Sequence, residues 1–196
     1  MIENVGIIGA GQMGGGIAHV VSLSGRKVYL LDIDQGLLTG SIQTIEKNMA
    51  RQASRGKVSE DDVKAALSRI ETGTDYSGFS NCDIVIEAAT ENEDVKRKIF
   101  EEILGFLSDH ALLATNTSSI SITRLASTTD RPEKFIGMHF FNPVPVMQLV
   151  ELIKGIATSQ ETFQTVKALS ESLGKTVAEA EDFPAFIVNR ILVPMI

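Results

Sequence analysis

Val5-Gly6-Ile7-Ile8-Gly9-Ala10-Gly11-Gln12-Met13-Gly14-Gly15-Gly16 begins as an apolar run, breaks into glycines and leads into the amphipathic run Ile17 to Leu23. That order predicts a strand, a tight turn and a helix. Gly9, Gly11 and Gly14 fit the G-x-G-x-x-G spacing of a dinucleotide-binding turn. In such a turn the first glycine permits the bend, the second lets the backbone approach a pyrophosphate, and the third lets helix and strand pack closely. The helix would aim free N–H groups and a partial positive charge at the phosphates. With 16 glycines in the chain, the spacing alone is a weak signal, and a purely structural turn is the alternative. The next apolar run, Lys27-Val28-Tyr29-Leu30-Leu31, ends at Asp32. Its distance from Gly9 is close to the roughly 20 residues at which an acid meets the adenosine ribose. An acid there accepts from the ribose hydroxyls and repels a 2′-phosphate, which favours NAD over NADP. A helix N-cap is the other reading of Asp32, because Asp34 and a helical run follow.

The chain has 196 residues, 43% of them apolar, enough for one large domain or two small ones. A net charge of -7 argues against general affinity for nucleic acid. The single cysteine, Cys82, excludes an intrachain disulfide and a multi-cysteine metal site. It fits a reducing compartment, and no metal is expected. No apolar run approaches the roughly 20 residues of a membrane span. The N-terminus reads as a strand rather than a signal peptide, so a cytoplasmic protein is expected.

Outward from the turn, Asp34 to Arg55 is helical, with Leu38, Ile42, Ile45 and Met49 recurring at threes and fours. Gly56 stops it, and Ser59-Glu60-Asp61-Asp62 starts a second helix to about Ser68, with Ser59 as N-cap. This helical pair, about 34–68, is longer than a crossover between parallel strands needs. It is either a surface excursion or an arm that touches a bulky substrate. Further strands are expected at Ile70–Thr74, Asp83–Ala89, His110–Thr115, Phe135–Phe140, Gln148–Ile153 and Thr176–Glu179. Further helices are expected at Glu91–Leu107, Ile120–Ala126 and Gln160–Leu173, with a proline loop at Asn142–Pro145 and an apolar run from Phe183. The alternation predicts a Rossmann-like, doubly wound, mostly parallel α/β sheet with an inserted helical pair. Ligands on such sheets lie beyond the carboxyl ends of the strands. Gly9, Asp32, Ala89 to Glu91, Asn116 to Ser119 and His139 to Asn142 gather there.

Met138-His139-Phe140-Phe141-Asn142-Pro143 is the second informative stretch. Oxidising an alcohol with NAD requires a base for the hydroxyl proton, and histidine suits that near neutral pH. It works best when a carboxylate fixes its tautomer. Glu151 lies inside the apolar run Leu149-Val150-Glu151-Leu152-Ile153, where a carboxylate is costly unless paired. It either pairs with His139 across the proline loop or faces solvent on an edge strand, and a structural role for His139 is the corresponding alternative. His19 and His110 are read as structural. Ser118 and Ser119 either contact a substrate oxygen or cap the helix at Ile120. Asn142 and Asn189 either orient carbonyls or serve turns and caps, and Glu91 and Lys96 read as ordinary surface charge from their position alone.

Together these residues resemble the 3-hydroxyacyl-CoA dehydrogenase family, in its bacterial 3-hydroxybutyryl-CoA branch. The resemblance runs from Val5 to Pro194. Beyond the glycine turn it is carried by Ile86-Glu87-Ala88, Thr115-Asn116-Thr117-Ser118-Ser119, Gly137-Met138-His139-Phe140-Phe141-Asn142-Pro143-Val144-Pro145-Val146-Met147, Leu149-Val150-Glu151 and Phe186-Ile187-Val188-Asn189-Arg190. It implies His139 as catalytic base, Glu151 as its partner, Ser118 and Asn189 as substrate-positioning residues, and Asn142 in support. It implies that Gly9, Gly11, Gly14 and Asp32 hold the adenosine half of NAD, with Gln12, Met13, Asn116, Glu91 and Lys96 as further cofactor contacts. The helical pair would meet the CoA moiety, with Thr44 and Arg51 as candidates.

The same resemblance implies L-3-hydroxyacyl-CoA as substrate, a 3-oxoacyl-CoA as product, a place in fatty-acid or butanoate metabolism, and a homodimer for the full-length protein. A sugar-acid enzyme like L-gulonate 3-dehydrogenase, an NAD-binding module without catalysis, and a structural role like that of a related lens crystallin are the alternatives. Two departures stand out. Family members have Pro-Gly before the Phe-Ile-Val-Asn-Arg motif, where this chain has Pro184-Ala185; a methyl there shifts the following helix if the position has positive φ. Members also continue into a helical domain of roughly a hundred residues, within the usual domain range. The expectation is therefore an NAD-binding domain over 1–183, the start of a connecting helix over 184–196, and the C-terminal helical domain absent. Ile187, Val188, Ile191, Leu192, Val193, Met195 and Ile196 would then self-associate or be disordered.

Overall fold

The apolar run at the N-terminus forms β1 (Asn4–Ile8), whose residues from Val5 onward are all buried. A strand without a solvated face belongs inside a sheet covered on both sides. The computed structural model, which describes residues 2–195, places it there. The other strands are β2 (Lys27–Leu31), β3 (Ile70–Gly73), β4 (Ile84–Glu87), β5 (Leu112–Thr115), β6 (Phe135–Phe140), β7 (Leu149–Lys154) and β8 (Thr176–Glu181). They form one sheet ordered β3-β2-β1-β4-β5-β6-β7-β8. All neighbours run parallel except β6 and β7, which are antiparallel. The order reverses between β1 and β4, which puts the glycine turn at the topological switch point.

Side chains alternate across the sheet, and the core divides accordingly. Ile7, Ile86, Ala114 and Leu152 join one cluster, while Ile8, Val85, Leu113 and Ile153 join the other. The first cluster is covered by α1 (Gln12–Leu23), α2 (Gln35–Ser54), α3 (Glu60–Leu67) and α6 (Gln160–Ser172), the second by α4 (Glu93–Ile103) and α5 (Ile122–Ala126). Each fully buried Leu, Ile or Phe in these clusters stabilises the fold by about 1.5–3 kcal/mol. The helical pair does not extend away as a free excursion. Leu38, Ile45, Met49 and Ala66 are buried, and α2 and α3 both pack on α1.

The caps explain where elements start. Asp34, not Asp32, caps α2, accepting from the amides of Gly36 and Leu37. Ser59 caps α3 in a reciprocal capping box with Asp62. The helix expected from Glu91 starts at Glu93 because Asn92 accepts from the Val95 amide, and it gives way to a 3₁₀ turn at Leu104–Phe106. The helix expected from Ile120 starts at Ile122, capped by Ser121. This corrects the capping alternative for Ser118 and Ser119. β5 begins at Leu112 rather than His110, and β8 runs on to Glu181. After β8 the chain forms the short helix α7 (Val188–Leu192), with Ile187, Ile191, Leu192, Val193 and Met195 exposed. Ile196 lies outside the described residues. No helix among the described residues is long and apolar enough to cross a membrane, and no group of three or more His, Cys, Asp or Glu among them could hold a metal ion.

Candidate active site

The site begins at the turn between β1 and α1. Gly9 has φ 99° and lies so close to the chain leaving β4 that an added Cβ would sit 2.6 Å from Ala89 Cα. A Cβ on Gly14 would come within 1.8 Å of the Gly9 carbonyl oxygen, so helix and turn pack only without a side chain there. Gly11 differs: nothing lies within 4 Å of where its Cβ would be, so the turn is open on that side. The first turn of α1 has no side-chain cap and no acidic residue, which leaves its N–H groups and the positive end of its dipole facing that opening. Asp32, at the end of β2, accepts from the Ala10 amide at 2.7 Å through Oδ2 and from the Asp34 amide at 3.1 Å through Oδ1. One bond per oxygen leaves each with a further acceptor position.

Across the switch point lies a cleft of about 450 Å³, lined by Met13, Ala88 to Glu91, Asn116, Ser118, His139 to Asn142 and Asn189. His139 and Glu151 are register partners on the antiparallel strands β6 and β7. Their side chains meet, with His139 Nδ1 2.8 Å from Glu151 Oε2. Glu151 is fully buried, so the edge-strand alternative fails: β8 covers that edge of β7. Burial alone would raise its carboxyl pKa, but hydrogen bonds from His139 and from the Val188 and Ile187 amides outweigh burial and hold it below the usual value. An ionised carboxylate only accepts, so Nδ1 carries the proton and neutral His139 has its lone pair on Nε2.

Glu91 gathers the other wall. Its Oε1 accepts from Thr117 Oγ1 at 2.8 Å, Ser118 N at 2.8 Å, Ser118 Oγ at 2.9 Å and Ser119 Oγ at 2.9 Å. Burial raises this carboxyl, yet these donors bring it below its ordinary value. Asn189 donates from Nδ2 to the Ser118 carbonyl at 3.3 Å, and Asn116 Oδ1 accepts from the Phe140 amide at 2.8 Å. Residues 4–183 match the sequence profile described as "3-hydroxyacyl-CoA dehydrogenase, NAD binding domain".

The chain belongs to this family.

It is 56% identical over 196 residues to a 3-hydroxybutyryl-CoA dehydrogenase of Bradyrhizobium diazoefficiens, covering 100% of this chain and 67% of that relative. It is 42% identical over 200 residues to the human mitochondrial hydroxyacyl-coenzyme A dehydrogenase, covering 99% of this chain and 64% of the human one. A crystal structure of (S)-3-hydroxybutyryl-CoA dehydrogenase from Ralstonia eutropha superposes with a TM-score of 0.97 at 48% identity, over 100% of this chain and 69% of that one. The chain thus spans about two thirds of the length of these dehydrogenases.

The family's cofactor fits the residues present. The open side of Gly11, the uncapped start of α1 and the acceptor positions left on Asp32 are what a dinucleotide requires. Lys96 stands apart from the other cofactor candidates. It is 1% exposed, so it is not surface charge, and it does not line the cleft. Its Nζ is 2.5 Å from Glu87 Oε2 and 3.9 Å from Glu91 Oε2, beneath the strand ends.

Of the arm candidates, Thr44 lines a cleft of about 420 Å³ between α1, α2 and the proline loop, together with Gly11, Gln12 and Asn142. Arg51 lines an adjoining, larger cleft of about 880 Å³. That cleft also holds Arg55, Lys57 and Lys175, three cations the sequence reading does not single out, and Asn48 lies on both clefts. Glu87 is the other omission. A glutamate within the apolar run Ile84 to Ala89 carries the same signal that picks out Glu151.

The Pro-Ala departure has a local consequence. Ala185 has φ 63° and Phe186 φ 51°, so the condition for strain at that position holds. His110 is exposed near Asp83, and His19 faces Gln52 at 3.1 Å.

Proposed function

We propose that this chain performs the NAD-dependent oxidation of L-3-hydroxyacyl-CoA, of about 3-hydroxybutyryl size, to 3-oxoacyl-CoA, or the reverse. The observation that carries this reading is the buried His139–Glu151 pair at 2.8 Å, in a cleft beside the open glycine turn. The family and the printed names of the relatives support the substrate class.

In this reading Gly9, Gly11 and Gly14, with Gln12 and Met13, hold the pyrophosphate, and Asp32 holds the ribose and rejects a 2′-phosphate. NAD supplies the hydride acceptor. His139 Nε2 takes the proton of the 3-hydroxyl as C3 loses its hydride, so that the C3 hydrogen leaves with two electrons and the O–H hydrogen leaves as a proton. Glu151 stabilises the resulting imidazolium and returns the ring to its working tautomer. Ser118 donates its hydroxyl hydrogen to Glu91 in the free chain; turned toward the substrate, the same O–H donates to the 3-oxygen and holds it beside His139, which takes that oxygen's one hydrogen. Asn189 and Asn142 bound the thioester side, and Asn116 fixes the strand carrying His139. Lys96 acts from below, through Glu87 and Glu91.

The cluster Arg51, Arg55 and Lys57 favours a CoA ester over a free sugar acid, because CoA carries phosphates that such a cleft neutralises. The test is steady-state turnover with acetoacetyl-CoA and a free polyol acid in parallel, each with NADH and NADPH, or NAD and NADP for oxidation. Turnover confined to the CoA ester and NADH supports the reading. Preference for the sugar acid sinks it. NADH binding with no turnover of either substrate favours a bare binding module.

A further inference from the structure

Between β6 and β7 the chain runs Asn142-Pro143-Val144-Pro145-Val146-Met147-Gln148. Pro143 and Pro145 have no N–H to donate. The Val146 and Met147 amides both go to the Pro143 carbonyl, each at 2.9 Å. That leaves further carbonyls of the loop without a donor of its own, and backbone carbonyls away from water need partners. Lys175 supplies them. It lies just before β8 and is 8% exposed, and its Nζ donates to the Val144 carbonyl at 2.5 Å and to the Met147 carbonyl at 2.8 Å. An ammonium carries three hydrogens and accepts nothing, so both bonds run from the lysine to the loop. The Thr176 amide adds a bond to the Gln148 carbonyl at 2.8 Å. On its other side the loop is wedged on α1: Val144 is buried, and a Cβ on Gly16 would come within 2.9 Å of the Val144 Cβ.

The loop held in this way is the wall common to two clefts. Pro143, Val144 and Pro145 line the smaller one with Thr44 and Asn48, and Pro145, Val146 and Met147 line the larger one with Arg51 and Arg55. We propose that Lys175 is a positioning residue for the acyl-CoA: its ammonium clamps residues 144–147 and so fixes the wall against which the CoA chain lies. This deepens the dehydrogenase reading and rests on it for the identity of the ligand; the clamp itself is independent of that reading. Lys175 differs in kind from the arginines of the same cleft. An exposed cation attracts phosphate through its charge and is screened by salt. Lys175 is buried, and two of its three hydrogens are committed to the loop, so it acts on the ligand through the shape of the wall.

Lys175→Met keeps an unbranched apolar stem and removes the donors. The measurements, on the whole chain, are hydrogen exchange at the Val146 and Met147 amides and calorimetric Kd values for acetoacetyl-CoA and for NADH, each at low and high salt. The expected result is that both amides exchange roughly tenfold faster or more, that acetoacetyl-CoA binds roughly fivefold more weakly or worse at both salt levels, and that NADH binding is unchanged. Parent protection at the two amides, or a parent Kd for acetoacetyl-CoA, overturns the proposal. So does a loss that disappears at high salt, which would mean direct charge contact, or an equal loss for NADH, which would mean general damage to the fold. Should the variant not fold, the unaltered chain is titrated with acetoacetyl-CoA and followed by NMR. The Val146 and Met147 amides are then expected to shift while the Lys175 Nζ signal stays in place. Loop amides that do not move, or a Lys175 signal that moves as far as theirs, overturn the proposal. An unaltered chain that binds no acetoacetyl-CoA would sink the dehydrogenase reading, and amide exchange in Lys175→Met would then decide the clamp.

Discussion

Asp32 accepts a 2.7 Å hydrogen bond from the amide of Ala10, so the acid that ends β2 also braces the glycine turn that ends β1. In the proposed function, holding the carboxylate there at the mouth of the turn pre-organises it for a ribose. Asp32→Ala is expected to weaken NADH binding tenfold to a hundredfold, the worth of about 1.5–3 kcal/mol for hydrogen bonds to a charged group. Discrimination against NADPH should fall in the same variant. Fluorescence titration with both cofactors measures it, and an unchanged NADH Kd would remove Asp32 from the cofactor site.

The glycines predict a contrast. Gly14→Ala would push a methyl to 1.8 Å from a backbone oxygen, whereas Gly11→Ala meets nothing within 4 Å. The first variant should lose the cooperative fold. The second should keep it, at a cost below about 1 kcal/mol, since only a favourable helix-start residue is lost, yet bind NADH at least tenfold more weakly. Thermal melts and NADH titrations on both variants test this. Equal stabilities would contradict the packing account, and parent-like NADH binding by Gly11→Ala would contradict the cradle.

Much of this site was legible because it rests on local rules. The turn announces itself by glycine spacing, and Glu151 by the cost of a carboxylate inside an apolar strand. That cost applies equally to Glu87, which accepts from Lys96 and Thr115 in the buried interior. Choosing between Asp32 and Asp34 as helix cap needed the structure, because both precede the helix and only geometry tells which side chain turns inward. Ser121 caps α5 with help from Asp182, far along the chain, so Ser118 and Ser119 were left free for Glu91. Lys175 carried no signal, because its partners are the Val144 and Met147 carbonyls of a distant loop.

Acid should weaken the site and the fold together. For Glu151, Glu91 and Asp182, burial acts to raise the carboxyl pKa, but hydrogen bonds from neighbouring donors prevail and leave all three lowered. A carboxyl whose folded value is depressed binds its proton more readily in the unfolded chain. Its contribution is therefore complete above the ordinary value of 4.5 for glutamate or 3.8 for aspartate, and is lost as pH falls through the depressed value. Urea midpoints are expected to hold down to about the ordinary glutamate value and then fall as these groups protonate. In Glu151→Gln the fall should be shallower. An unchanged slope in that variant would remove Glu151 from the acid response.

Ala185→Gly is expected to stabilise the protein. Left-handed φ costs a non-glycine residue about 1–2 kcal/mol, while glycine loses about 0.4–1 kcal/mol through the unfolded chain. The difference favours glycine by roughly 0.5–1 kcal/mol. A lower melting midpoint in Ala185→Gly would mean that the strain is not felt there.

The basic cleft predicts a substrate effect without a cofactor effect. Arg55→Ala should raise KM for acetoacetyl-CoA roughly two- to fivefold, the worth of an exposed ion pair, and leave NADH affinity unchanged. The difference should shrink at high salt. Equal KM values at low salt would place the CoA phosphates elsewhere.

The most direct measurement is NADH oxidation driven by acetoacetyl-CoA, compared between the parent protein and His139→Asn alongside NADH Kd. If His139 is the acid–base group, the parent turns over and the variant is slower by about a hundredfold to ten-thousandfold with NADH binding intact. A variant as fast as the parent, or a parent that binds NADH and acetoacetyl-CoA without oxidising one with the other, would contradict the account.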